Sequence, residues 1–387
     1  MIGNLKAGRF AIGIVLLYLI AIAPALVRHG FDASVFIVAG DQFVDRAQLA
    51  SPIIVRPNSD GYDGQFYYRL ALAPFDLSAS VNGVTFDAPP WRMQRIVYPL
   101  LAWALSLGQP WLVPMALLCV NLIGIGLVAL FALRLSRRLD LPDWLPLAIT
   151  LWPGFIVTLT HDTTEIISAV LLLAAIDQYF ANRLWRFAAL GALGCLTRET
   201  GLFAVGGLLL YELWRRNARA VVACAAALAP ALVWRELQRL LWGASLSSSV
   251  AGNVSWPLLG VIQAMASMIR GDYVAIPGLK GIVLRGFAFV SAALLVAFCF
   301  LVASRISRGP KAVAAAWLPL LALMSLLSAQ GPWIEPIAYL RAFTECWVVG
   351  CLLLDAGLAR SRFAKPALAV LSVIWIGAGW LSTSTIN

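Results

Sequence analysis

Apolar runs of about 20 residues, the length that crosses a bilayer as a helix, recur along the whole of this chain. That pattern removes most folds. Strands of a closed membrane barrel alternate apolar and polar residues and give no such runs. What remains is an all-α polytopic membrane protein, because a helix satisfies its own backbone hydrogen bonds in lipid. Composition agrees: 61% of residues are hydrophobic and 12% charged, about half the charge of a soluble domain. Residues 1–387 are therefore read as a single transmembrane domain. The net charge of +10 does not point to nucleic acid, because Lys and Arg sit in short clusters between apolar runs, as in cytoplasmic loops.

Those clusters set the expected topology. They are Lys6/Arg9, Arg134/Arg137/Arg138, Arg183/Arg186, Arg215/Arg216/Arg219, Arg305/Arg308/Lys311 and Arg360/Arg362/Lys365. With all six on the cytoplasmic side, eleven spans are expected near 10–27, 112–133, 143–160, 164–181, 187–197, 200–213, 219–241, 280–303, 312–328, 337–358 and 366–383. The first follows Lys6 and Arg9 and is long for a signal peptide, so it reads as a retained anchor. Two of the spans, 187–197 and 200–213, are short and flank Thr197-Arg198-Glu199. A hairpin of short helices would place Arg198 and Glu199 within the membrane, lining a cavity. All six cysteines fall in apolar segments without metal-ligand spacing and read as small buried hydrophobes.

The longest polar interval is a first external loop over residues 28–111, carrying an interfacial helix near 95–107 with Trp103 and Tyr98. Between residues 29 and 95, seven Asp stand against five Arg. Its centre is Ser59-Asp60-Gly61-Tyr62-Asp63-Gly64-Gln65-Phe66-Tyr67-Tyr68-Arg69. Crossing a bilayer does not require such a run of acids, glycines and aromatics. Glycine beside an acid permits a sharp turn and close approach of a substrate, and tyrosine both stacks and hydrogen-bonds. A second external loop is expected over 242–279.

Four polar clusters converge on the external side of this topology. They are Asp60/Asp63 with Tyr67, Tyr68 and Arg69; His161-Asp162-Thr163-Thr164-Glu165; Arg198-Glu199; and Tyr339-Leu340-Arg341 with Glu345. Each also has a purely structural reading. Arg198 and Glu199 pair with other buried charges; His161 caps a helix end; Asp162 and Glu165 face a helix N-terminal dipole; Arg341 snorkels to the interface. Arg235, Glu236 and Arg239 read as an outer amphipathic turn with a structural role.

Asp63-Gly64-Gln65-Phe66-Tyr67-Tyr68-Arg69-Leu70-Ala71 resembles the first external loop of membrane mannosyltransferases of the GPI mannosyltransferase II type, in which an Asp precedes aromatics and an Ile/Leu-Ala pair. Arg95-Ile96-Val97-Tyr98-Pro99-Leu100 resembles the aromatic-rich stretch that follows it there. Thr163-Thr164-Glu165, after Pro153, resembles the family's Tyr-Ser/Thr-Glu at a helix start. Leu196-Thr197-Arg198-Glu199-Thr200-Gly201 resembles its Thr-Arg-x-x-Gly segment. The four occur in the family's order and cover about residues 60–205, while the C-terminal half matches only in hydropathy. Gly61-Tyr62 stands where the family has Trp, and Glu199 where a small polar residue is usual.

The resemblance implies a GT-C-like fold and an inverting glycosyltransferase that moves mannose or another hexose from a polyprenyl-phosphate-linked donor. It implies a glycan, lipid or protein acceptor, and Asp63 as general base. Inverting transfer needs one carboxylate to take the acceptor proton while the leaving group departs from the opposite face. A lipid phosphate leaving group needs cations near the membrane; Arg198 and Arg341 are the expected clamps, with Arg69 a further candidate and Glu165 orienting the acceptor or a clamp. The expected substrate-binding set is Asp60, Tyr67, Tyr68, Arg69, His161, Asp162, Arg198, Glu199 and Arg341. No ligand pattern demands a metal, though Asp60, Asp63, Asp162 and Glu165 are of the type that holds a divalent cation. The expected location is a bacterial inner membrane, with the site facing the periplasm or exterior. The alternatives are a lipid-linked-sugar flippase or a secondary transporter, and a non-catalytic assembly partner. A hydrolase lacks its motifs here: only His29 and His161 are present, with neither a Gly-x-Ser-x-Gly elbow nor a His-Glu-x-x-His pair.

Overall fold

The computed structural model describes residues 2–243, 251–273, 278–355 and 364–385. It is mostly helical. In chain order the helices are α1 (Ile2–Arg28), α2 (Gly64–Leu72), α3 (Pro89–Arg92), α4 (Val97–Leu105), α5 (Val113–Arg138), α6 (Leu145–Thr150), α7 (Pro153–Thr160), α8 (Glu165–Phe180) and α9 (Leu184–Thr197). There follow α10 (Thr200–Trp214), α11 (Ala218–Trp242), α12 (Leu259–Arg270), α13 (Gly278–Arg305), α14 (Lys311–Ser325), α15 (Pro336–Ala342), α16 (Thr344–Cys351) and α17 (Ala364–Thr385).

Five stretches are long and apolar enough to cross a membrane: Lys6–Arg28, Pro110–Arg138, Ala218–Trp242, Gly278–Arg305 and Lys365–Ser384. Their ends follow local chemistry. Pro114 in the first turn of α5 lacks an N–H that would have no partner there, and Arg137 and Arg138 meet the negative end of the same helix. Asn217 caps α11 by accepting from the Ala220 amide, and Gly243 stops it at φ +58°. The first helix is built into the bundle. It packs on α5 and α17, its Tyr18 hydroxyl donates to the Thr150 carbonyl at 2.7 Å, and the Tyr18 ring sits edge-on to Trp375 at 5.1 Å.

Single helices do not make up the eleven spans. The expected span 143–160 is two helices, α6 and α7, because Trp152 before Pro153 is driven out of helical geometry (φ −58°, ψ 122°). The expected span 337–358 is also two, α15 and α16, which meet at Phe343 and end at Cys351; residues 356–358, like Arg360 and Arg362, lie outside the described residues. The hairpin at Thr197-Arg198-Glu199 is present. Arg198 is extended (φ −155°, ψ 138°) between α9 and α10, and Gly201 allows the turn to close, since a Cβ there would lie 3.1 Å from the Cys195 backbone. The region 242–279, expected as loop, carries the 12-residue helix α12; residues 244–250 and 274–277 lie outside the described residues.

Residues 29–112 form a compact layer rather than an open loop. It holds α2, α3, α4 and two short ladders. One pairs β1 (Ala39–Gly40) with β2 (Val55–Arg56) in parallel; the other pairs β3 (Ser80–Val81) with β4 (Val84–Thr85) in antiparallel. Phe66, Tyr67, Tyr98 and Ala102 of this layer share one apolar cluster with Val113 and Leu117 of α5. Helix α4 falls where an interfacial helix is expected, with Tyr98 buried and Leu101 and Leu105 exposed. All six cysteines are free thiols, four of them buried.

Candidate active site

A cavity of about 460 Å³ lies between the 29–112 layer and the broken helices. Three carboxylates (Asp63, Glu165, Glu199) and five arginines (Arg92, Arg95, Arg198, Arg235, Arg341) line it, together with Tyr62, Trp91, Phe203 and apolar residues of α14.

Close backbone packing places Asp63. Gly61 has φ +67°, and a Cβ there would lie 2.6 Å from the Gly40 amide. A Cβ on Gly64 would lie 2.5 Å from the His161 carbonyl oxygen and 2.7 Å from that of Ile37. The start of α2 therefore rests directly on the turn before α8. Gln65 locks this corner: its Oε1 accepts from the Gly40 amide at 3.0 Å and its Nε2 donates to the Asp60 carbonyl at 2.7 Å. Asp63 precedes α2 without capping it, so its carboxylate is free to face the cavity.

Two arginines hold that carboxylate. Arg92 Nη1 donates to Asp63 Oδ1 at 2.6 Å, and Arg341 Nη2 donates to Oδ2 at 2.9 Å. Each arginine has a second anchor. Arg92 also binds Asp87 (2.8 and 2.7 Å) and stacks on Phe66 at 4.4 Å. Arg341 donates through Nε and Nη2 to Glu165 Oε1 at 3.0 and 2.9 Å and lies over the Tyr62 ring at 5.0 Å. Burial opposes the charge on Asp63, but Arg92, Arg341 and Arg95 outweigh it and hold the carboxyl well below the usual carboxylate range. The Asp63 side chain is 23% exposed while that of Glu165 is fully buried, so Asp63 is the carboxylate of this pair that a ligand reaches.

Glu165 opens α8, where a negative charge meets the helix dipole, and it accepts from Thr158 at 3.2 Å. Arg198 sits with its Nε 3.6 Å from Glu165 Oε1 and its Nη1 2.5 Å from Glu345 Oε2. Arg95 donates through Nε and Nη2, one edge of its guanidinium, to the two oxygens of Glu199 (3.0 and 2.6 Å) and through Nη1 to the Tyr67 hydroxyl at 2.9 Å. The cation-bearing helix breaks and the 29–112 layer are thus joined by ion pairs.

Of the expected site residues, Asp63, Glu165, Arg198, Glu199 and Arg341 meet at the cavity. Tyr67 stands behind Arg95 as its hydroxyl partner. The others do not line the cavity. Asp60 is exposed and contributes its carbonyl to Gln65. Tyr68 is fully buried. Arg69 is no clamp for a ligand: its guanidinium donates to the carbonyls of Asp76 and Ser78 and lies 4.4 Å over Phe86, which fixes the 76–78 turn. The His161 ring turns back on α7, with Nδ1 3.1 Å from the Val157 carbonyl oxygen, and lies 4.8 Å edge-on from Tyr62; it supports that ring. Asp162 is fully buried in the turn before α8, at φ +44°. No group of three His, Cys, Asp or Glu among the described residues, Asp60, Asp63, Asp162 and Glu165 included, is arranged to hold a metal ion.

Arg92, Arg95 and Arg235 are the cavity arginines that the sequence reading left outside the expected site. A signal existed for two of them: Arg92 and Arg95 follow Trp91, and each guanidinium packs on an aromatic ring, Phe66 and Trp91 respectively. The Arg235/Glu236/Arg239 group divides. Glu236 and Arg239 form an exposed pair at 2.5 Å, whereas Arg235 faces the cavity. Comparison with protein-family models, curated proteins and solved structures finds no match, so the reading of the cavity rests on its own residues.

Proposed function

We propose that the chain is an integral membrane glycosyltransferase. It transfers a hexose from a polyprenyl-phosphate-linked donor to an acceptor hydroxyl at the outer membrane face, with inversion at the anomeric carbon. The observation that carries this reading is the carboxylate of Asp63, exposed to a cavity and held between two arginines that reach the same space.

In the proposed step, Asp63 takes the proton of the acceptor hydroxyl. The acceptor oxygen bonds to the anomeric carbon as the bond from that carbon to the phosphate oxygen breaks, and the electron pair leaves with the phosphate. Arg341 and Arg198 face the charge that grows on the leaving group. Glu165 is a positioning residue through its hold on Arg341. The two guanidiniums on Asp63 make it a weak base while both pairs hold. A donor phosphate competes for Arg341 and Arg92, and a carboxylate relieved of their charge regains basicity. Donor binding thereby activates the base for the acceptor.

The test offers purified protein in detergent a panel of polyprenyl-phosphate sugars with mixed glycan and lipid acceptors, wild type beside Asp63→Asn. A general base contributes about 10²- to 10⁴-fold, so the variant should lose that much turnover while keeping its fold. Turnover by Asp63→Asn within tenfold of wild type removes Asp63 as base. Movement of an intact lipid-linked sugar across a vesicle membrane without transfer would replace the reading with the flippase.

A further inference from the structure

The wall formed by α11 carries one arginine unlike the others. Arg92, Arg95, Arg198 and Arg341 each hold a carboxylate oxygen within 2.5–2.9 Å. A phosphate reaching any of them must compete with that carboxylate. Arg235 makes no ion pair or hydrogen bond among the described residues, although it lines the same cavity. Its place is fixed from below: the neighbouring Trp234 donates its indole N–H to the Met93 carbonyl at 2.9 Å, which ties α11 to the end of α3.

Part of the surface shared with Arg235 is apolar. Phe203, Val254, Leu323, Met324 and Leu327 line the cavity as well, and Phe203 and Val254 are 40% and 43% exposed, so the cavity has an open apolar rim. A cation without a counter-ion beside an open apolar rim matches a ligand that has a phosphate at one end and a hydrocarbon chain at the other.

We infer that Arg235 is the first docking residue for the phosphate of an isoprenyl phosphate, and that the rim of Phe203 and Val254 takes the adjoining part of its chain. The inference rests on the reading of the cavity as a lipid-phosphate site and adds the residue at which binding starts. Arg235 engages the phosphate without displacing a carboxylate, and the paired arginines engage it as the headgroup moves inward.

The test is a binding measurement that needs no turnover. Farnesyl phosphate, farnesol, inorganic phosphate and phosphatidylglycerol are titrated against the full-length protein in detergent, followed by tryptophan fluorescence and thermal shift. Wild type should bind farnesyl phosphate more tightly than the other three. Arg235→Gln should weaken farnesyl phosphate about ten- to hundredfold, the range for losing hydrogen bonds to a charged group. Arg235→Lys should fall between them, farnesol should respond to neither change, and Arg239→Gln, the same charge removed one turn away on the exposed side, should bind as wild type. Equal affinity of Arg235→Gln and wild type overturns the inference. So does an equal loss in Arg239→Gln, or equal binding of phosphatidylglycerol, which would mark a general anionic surface. If Arg235 governs farnesyl phosphate binding while no donor supports transfer, the inference stands and the enzyme reading falls. If transfer proceeds while Arg235→Gln binds normally, only the inference falls.

Discussion

The ion pair between Arg95 and Glu199 joins two elements 104 residues apart in sequence. Replacing Arg95 by Met leaves Glu199 without a partner at its two oxygens and Tyr67 without its donor. Replacing Glu199 by Leu leaves an unpaired guanidinium whose side chain is only 9% exposed. Two unit charges about 4 Å apart at an effective dielectric near 20 attract by about 4 kcal/mol. Breaking a buried pair from one side costs about 3–5 kcal/mol, whereas replacing both members by apolar groups is often near neutral. Glu199 retains 21% side-chain exposure to the cavity, so water offsets part of the loss and about 2–3 kcal/mol is expected for each single change. A double-mutant cycle with Arg95→Met, Glu199→Leu and the combination, read by reversible unfolding in mixed detergent micelles, should give a coupling energy of about 2–4 kcal/mol. The combined variant should be more stable than either single one. A coupling energy below about 0.5 kcal/mol, the size of an exposed surface pair, would refute the claim that this pair fastens the 29–112 layer to the break between α9 and α10.

Gly64→Ala should lower turnover by at least about tenfold at unchanged substrate affinity, because its Cβ would meet the His161 carbonyl oxygen at 2.5 Å and push Asp63 out of register; initial rates with the donor identified by the panel check this. The pH dependence of stability has a defined sign. Asp63 in the folded chain lies below its unfolded value of about 3.9, so its ion pairs contribute fully above that range and are lost as pH falls through the folded value. The stability difference between wild type and Asp63→Asn should therefore stay constant from about pH 8 to pH 5 and narrow only below about pH 4. Thermal unfolding of both proteins across this range tests it, and a gap that closes between pH 8 and pH 6 would contradict the arginine-held carboxylate.

The sequence showed the helices and the break at Arg198-Glu199 because both depend on local properties: apolar length in one case, a polar pair between short apolar runs in the other. It singled out Asp63 because the run Asp60-Gly61-Tyr62-Asp63-Gly64 has no role in spanning a bilayer. It did not show that the spans near 143–160 and 337–358 are broken. Hydropathy is blind to a turn made of apolar residues, and Leu151, Trp152 and Phe343 are all apolar; only Pro153 carried a local sign of the first break. Arg69 and His161 were drawn into the expected site by their neighbours in sequence. Side-chain direction decided otherwise, since consecutive residues of a helix point about 100° apart, and Arg69 leaves α2 toward Phe86 while Asp63 faces the cavity. Arg235 was hidden because Glu236 and Arg239 lend it the look of a solvated helix face.

The partners of the central ion pairs lie far apart along the chain: Arg341 is 278 residues from Asp63 and 176 from Glu165, and Glu345 is 147 from Arg198. This has a consequence for biogenesis. A ribosome delivers Asp63, Glu165 and Arg198 to the membrane long before Arg341 and Glu345 exist. During that interval Glu165 lacks Arg341 and Arg198 lacks Glu345, so each has only the other, at 3.6 Å in the finished fold, as a partner, and incompletely paired charges within a bilayer are costly. Arrival of α15 and α16 brings one cation and one anion, gives Glu165 and Arg198 their remaining partners, and completes the cavity. A chain stopped before residue 336 would therefore carry an unfinished site, with Asp63, Glu165 and Arg198 each short of a partner.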